Sequence, residues 1–195
     1  RKIKILYCVT SLIYTVSCRM QAKNFPNYES HRSKINKETN CVFLFNLPFE
    51  SSSFEFKELA SQYGEVYNIR SFVEKKGQCF ITFCDLRDSI KFVNDFKNGK
   101  SFKQRMIFAN YADTSKDNEL SSLTVCPSNQ TSLSYLNESS VVEALSKYGE
   151  IRSASLVSHN TFAVSFFNIK HASSALMHSN VVATREGMVL SISSS

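Results

Sequence analysis

The sequence holds no tryptophan, only five glycines and only three prolines among its 195 residues. With 43% hydrophobic residues beside them, this is not the composition of a disordered or low-complexity chain. Its six cysteines (Cys8, Cys18, Cys41, Cys79, Cys84 and Cys126) form no C-x-x-C pair, and no histidine cluster lies near them. That argues against a zinc site. A convergent nucleophile–base pair, metal-ligand spacing and a phosphate-cradling loop are all missing, so no enzyme activity and no cofactor are expected. The apolar run from Ile5 to Val16 is too short to cross a bilayer comfortably as a helix, so no membrane partner is expected either.

Net charge is also scarce outside a single segment. Residues 1–40 carry eight Lys/Arg against two Glu, whereas 41–112 carry ten against eight and 113–195 five against seven. The overall charge of +6 therefore sits mainly in a tail. Such a tail adds salt-sensitive phosphate attraction and no sequence preference. The tail opens with Arg1, Lys2 and Lys4 ahead of the apolar run, which imitates a secretory signal. Three readings stand: a fragment of a longer protein, translated sequence upstream of a start at Met20, or a real signal. The first two are favoured, because everything downstream reads as intracellular. Reduced cysteines fit that reading, with a nuclear or cytoplasmic location.

What the chain does have is sixteen Phe, eight Tyr and a weak internal repeat. Tyr63-Gly64-Glu65-Val66 recurs as Tyr148-Gly149-Glu150-Ile151. Ile81-Thr82-Phe83-Cys84-Asp85-Leu86-Arg87 recurs as Val164-Ser165-Phe166-Phe167-Asn168-Ile169-Lys170. Two related units follow from this, at 41–112 and 122–195. A polar linker at 113–121 joins them, and it spans only about 15–18 Å on average. The two units are therefore expected to be coupled. Residues 1–40 are expected to be disordered or not the native start.

The first unit reads as βαββαβ. Residues 41–46 form a strand by their aromatic and β-branched content. Ser52 with Glu55 is a capping-box signal, and Phe56, Leu59, Ala60 and Tyr63 follow at helical spacing up to Gly64. Strands are expected at 66–73 and 78–83, with a turn at Lys75-Lys76-Gly77. Asp85 caps a helix with Leu86, Ile90 and Val93 on its inner face, and 106–111 is the last strand. The second unit repeats the course: a strand at 123–126, a helix near 138–148, strands near 151–157 and 161–166, a helix near 170–178 and a strand near 188–193. The fold class expected is α+β, with two ferredoxin-like domains in tandem.

Parity along the strands then sorts the side chains. Val42, Leu44, Cys79, Ile81 and Phe83 point at the helices. Phe43, Phe45, Gln78, Phe80 and Thr82 point to solvent, joined by Phe108 and Asn110 on the last strand. Several phenylalanines on one open sheet are costly unless used. Base stacking is the use that fits, because every base offers a π face.

Val42-Phe43-Leu44-Phe45-Asn46-Leu47 resembles the hexamer motif of the RNA recognition motif family. Lys76-Gly77-Gln78-Cys79-Phe80-Ile81-Thr82-Phe83 resembles its octamer motif. The resemblance implies stacking roles for Phe43 and Phe80 and a phosphate contact for Lys76. Gln78 stands where the family usually has an aromatic, which leaves it a hydrogen bond to a base edge. Phe45 and Phe108 either join the platform or flank it. Arg70 on the second strand either meets phosphate or is solvated surface. The second unit resembles the same family in its core only. Its outward residues Thr124, Cys126, Thr161, Ala163 and Ser165 are small and uncharged, and no stacking role carries over. The runs at 83–87 and 166–170 further resemble a signature of the Mei-two-like meiosis regulators, which implies a meiotic role. Arg87 and Lys170 within these runs read as structural or interdomain.

The reading that follows is a monomeric binder of single-stranded RNA acting in post-transcriptional regulation. Its second domain either extends the site or takes a protein partner. The alternative is a protein-interaction module using the same surfaces.

Overall fold

A computed structural model describes residues 37–112, 120–128, 136–179 and 182–194. The expectations for the basic N-terminal segment and for most of the linker fall outside these residues.

Strand β1 (Cys41–Phe45) leads through a loop into helix α1 (Ser53–Ser61). The loop ends at Ser52, which accepts from the Glu55 N–H while Glu55 accepts from the Ser52 N–H at 2.9 Å. This reciprocal cap satisfies two otherwise orphaned donors, as the S-x-x-E spacing requires. Strand β2 (Val66–Phe72) runs into a single helical turn, α2 (Val73–Lys76), and then β3 (Gln78–Phe83). The expected plain turn at 75–77 is thus a helical turn that Gly77 ends. Gly77 has φ +60°, and a Cβ there would lie 3.0 Å from the Leu47 carbonyl oxygen. Asp85 caps α3 (Leu86–Phe96) by accepting from the Arg87 N–H at 2.9 Å.

The last strand is a hairpin rather than a single strand. β4 (Lys100–Phe102) turns through Lys103 and Gln104 into β5 (Arg105–Tyr111). Both turn residues have positive φ, at +46° and +63°. The first sheet therefore has five strands in the order β2-β3-β1-β5-β4.

The second domain is built from β6 (Ser122–Pro127), α4 (Glu138–Ser146), β7 (Ile151–Ser158), β8 (Thr161–Phe166), α5 (Ile169–Met177) and β9 (Leu190–Ser194). Asn137 and Asn168 cap its two helices through their side-chain oxygens. Its strand order, β7-β8-β6-β9, repeats the order of the first four strands of the other sheet. All pairings in both sheets are antiparallel. The architecture is α+β, two ferredoxin-like βαββαβ domains in tandem.

Each domain buries one side of its sheet. Val42, Leu44, Cys79, Ile81 and Phe83 are all fully buried with Phe56, Phe92 and Phe96 from the helices. Leu123, Val125, Phe162, Val164 and Phe166 do the same in the second domain with Val141, Leu145 and Ala172. The strand parity read from the sequence is therefore the parity of the fold.

The thiols follow this burial. Of the four cysteines in the described residues, Cys41, Cys79 and Cys84 are buried and Cys126 is partly exposed. Burial pushes the Cys79 thiol up to about 12 and the Cys84 thiol up to about 11. At pH 8 their thiolate fractions are then hundreds to thousands of times smaller than that of a free cysteine with a pKa of about 8.5. Peptide mapping after brief iodoacetamide treatment of the native chain should find Cys126 modified well before these two. Comparable labelling of Cys79 would mean that the first core opens readily.

Candidate nucleic-acid interface

The open face of the first sheet carries a row of aromatic rings. Phe43 and Phe80 are direct cross-strand partners on β1 and β3, and their ring centroids lie 5.0 Å apart. Phe43 stacks on Phe45 at 5.3 Å, and Phe45 on Phe108 of β5 at 5.6 Å. At the other side Phe72 of β2 meets Phe80 edge-on at 6.2 Å. Five rings thus run across four adjacent strands. The separations are those at which aromatic pairs attract, in offset or edge-to-face geometry.

The sequence expectation named Phe43, Phe45, Phe80 and Phe108 and missed Phe72. Its signal was available: Phe72 shares the parity of Arg70 on β2, and the two pair with Gln78 and Phe80 of β3. Phe72 is 46% exposed, the most open ring of the row.

Polar groups border the row. Gln78 lies between Phe45 and Phe72 in register, and Asn110 lies opposite Phe43. The Arg70 guanidinium lies over the Phe80 ring at 5.7 Å. Lys76 does not join them on the sheet; it sits exposed on α2, just before Gly77 turns the chain into β3. A further group at the same end of the sheet was not foreseen. Asn46, with φ +61°, donates to the Met106 carbonyl at 2.7 Å and accepts from Arg105 Nε at 3.3 Å. This holds the Arg105 guanidinium 5.6 Å over the exposed Phe49 ring.

Two outward residues are less open than parity alone implies. Phe108 is only 4% exposed. It lies between Phe45 and Gly99, where even a single added Cβ would come within 2.7 Å of its ring. Thr82 is 3% exposed, flanked in register by Cys41 and Asn68. At Phe108 the lateral neighbours close over a position that alternation assigns to the solvent face.

Residues 42–107 match the model of the RNA recognition motif family. The first domain is an RNA recognition motif. Human RNA-binding motif protein, X-linked 2, is 33% identical over 97 residues, which covers 45% of this chain and 30% of that protein. Its rat counterpart is 32% identical over a stretch of the same length. The chain thus spans under a third of the length of these curated relatives. Among solved structures, the Sex-lethal RNA recognition domains 1 and 2 from Drosophila melanogaster share 16% identity, covering 80% of this chain and 99% of that one, with a TM-score of 0.34. The Rna15 RNA recognition motif shares 25% identity over 41% of this chain and 97% of that one, with a TM-score of 0.36. The relatives are RNA-binding motif proteins, and the narrower resemblance to the Mei-two-like regulators finds no support in them.

The open face of the second domain differs in chemistry. Thr124 pairs with Ala163 where the RNA recognition motif has Phe43 and Phe80. Ser122 and Ser165 share a hydrogen bond at 2.8 Å. Among the described residues, the only aromatic rings on its four strands are Phe162 and Phe166, and both are buried in the core. Among the described residues no group of His, Cys, Asp or Glu is placed to hold a metal, and no helix is long and apolar enough to cross a membrane.

Proposed function

We propose that this chain binds single-stranded RNA on the sheet of its RNA recognition motif, as part of post-transcriptional regulation in the nucleus or cytoplasm. The observation that carries this reading is the cross-strand Phe43–Phe80 pair at the centre of a five-ring row. Two successive bases stack on these two rings. Phe72 and Phe45 extend the platform on either side, and Phe108 backs Phe45. Gln78 and Asn110 border the rings and supply hydrogen bonds to base edges. Arg70, Arg105 and Lys76 attract phosphate. The domain limits proposed are 41–112 for the stacking domain and 122–195 for its partner. The second domain, with its small and uncharged face, takes no base and is open to a protein.

Fluorescence anisotropy of the full chain tests this directly. A randomised single-stranded RNA pool should bind with a micromolar or tighter Kd at about 0.15 M salt, where surface charges are screened beyond about 8 Å. The same pool annealed to its complement should bind much more weakly, because paired bases cannot reach the rings. Equal affinity for both forms, vanishing at this salt, would reduce the interaction to phosphate attraction and overturn the stacking reading.

A further inference from the structure

The repeated segments of the chain meet each other. Asp85 and Asn168, equivalent residues of the two domains, form an antiparallel β-bridge. The Leu86 N–H donates to the Phe167 carbonyl at 2.9 Å, and the Ile169 N–H donates to the Cys84 carbonyl at 2.9 Å. The two bonds are equivalents of one another under exchange of the domains. So are the two ion pairs around them: Arg87 with Glu150 at 2.8 Å, and Lys170 with Glu65 at 2.6 Å. Each cation belongs to the second repeated run of one domain, and each carboxylate to the Tyr-Gly-Glu of the other.

Apolar burial accompanies these polar contacts. Leu86 is 1% exposed and Ile169 fully buried, yet neither belongs to the core of its own domain. The Arg87 guanidinium also lies 4.8 Å over the Phe167 ring of the other domain. Arg87 is held from behind as well, by Asp85 at 2.8 Å. Burial works to raise the Asp85 carboxyl, but the hydrogen bonds and charge of Arg87 hold it below the usual carboxylate range. Lys170 has no such backing, since Asn168 replaces the aspartate.

We infer that the repeated Tyr-Gly-Glu and Phe-x-Asp/Asn-Leu/Ile-Arg/Lys segments are a self-complementary docking element that joins the two domains into one rigid body. An isologous contact uses the same patch on both partners, and here the two partners are halves of one chain. Exposed ion pairs alone hold little. The backbone bridge and the buried Leu86 and Ile169 provide the grip, and the charges select the register. The Tyr-Gly-Glu repeat also has a steric basis: an added Cβ at Gly64 would strike the Asp88 side chain, and one at Gly149 the His171 ring, each on the helix that follows the docking run. The second domain is thereby held at one angle to the stacking face instead of trailing on a tether.

The test needs no RNA, so it stands or falls apart from the proposed function. Amide 15N relaxation and residual dipolar couplings of the full chain would be measured in three forms: unaltered, Arg87→Glu/Lys170→Glu, and that pair with Glu65→Lys/Glu150→Lys. The unaltered chain should show one rotational correlation time for both domains and a single alignment tensor. The double reversal sets like charges against each other, so it should split the correlation times. The fourfold exchange should bring the two values back toward one another, short of full recovery because Asp85 still faces position 87. Two independent tensors in the unaltered chain would overturn the inference. A double reversal that still tumbles as one body would remove the charged residues from the element.

Discussion

A chain carrying Phe43→Ala and Phe80→Ala together is expected to bind single-stranded RNA at least about thirtyfold more weakly, a loss of about 2 kcal/mol or more. One base stacked on one aromatic ring is worth about 1–3 kcal/mol by alanine substitution. Two such stacks set the upper end higher, but the two rings touch each other at 5.0 Å. Removing one disturbs the other, so the single substitutions will not add, and a double-mutant cycle should show a coupling. The fold should survive, because both rings are only half-buried and stand outside the core. Circular dichroism of the variant should match that of the unaltered chain. If folded variant and unaltered chain bind equally, the aromatic row serves a protein partner and the stacking assignment is wrong.

Replacing Phe92 by alanine should cost the first domain about 3–5 kcal/mol of stability. Phe92 is fully buried on α3, where it stacks on Phe96 at 4.4 Å and meets Phe83 and Tyr63 at 5.5 and 5.0 Å. The ring ties the helix to the underside of β3, the strand that carries Phe80 on its upper side. Its loss leaves a cavity that the flanking rings cannot fill without leaving their own contacts. Phe54→Ala on the outer side of α1, where the ring is 63% exposed, is the matched control and should change stability by less than about 0.5 kcal/mol. Urea unfolding monitored in first-domain amide signals reads both. A loss under about 1 kcal/mol for Phe92→Ala would contradict the packing described.

Much of this molecule was legible residue by residue. Alternation along 41–45 and 78–83 separates Phe43, Phe45 and Phe80 from Val42, Leu44, Cys79 and Ile81, because a strand places successive side chains on opposite faces. The Ser52–Glu55 cap and the Asp85 cap are local contacts within a few residues, so spacing suffices to see them. The β4–β5 hairpin was not legible. Its turn places Lys103 and Gln104 at positive φ, where glycine or asparagine is the usual signal. Phe72 was legible but overlooked: it lies two residues from Arg70 on the same strand and so shares its face.

Sequence alone therefore determined the two βαββαβ units, the buried faces of their sheets and the aromatic character of one open face. These follow from period, caps and residue type, which act over a few neighbours. Tertiary structure alone decided how far each outward ring is covered, with Phe108 closed over between Phe45 and Gly99 while Phe72 stays open. It also decided which groups the repeated Tyr-Gly-Glu and Phe-x-Asp/Asn runs meet, where the sequence read Arg87 and Lys170 as structural or interdomain. In the sequence they are two similar strings 83 to 85 residues apart. Only when the chain folds do they face each other, so that Arg87 finds Glu150 and Lys170 finds Glu65. Complementarity between surfaces depends on which surfaces meet, and no local pattern encodes that.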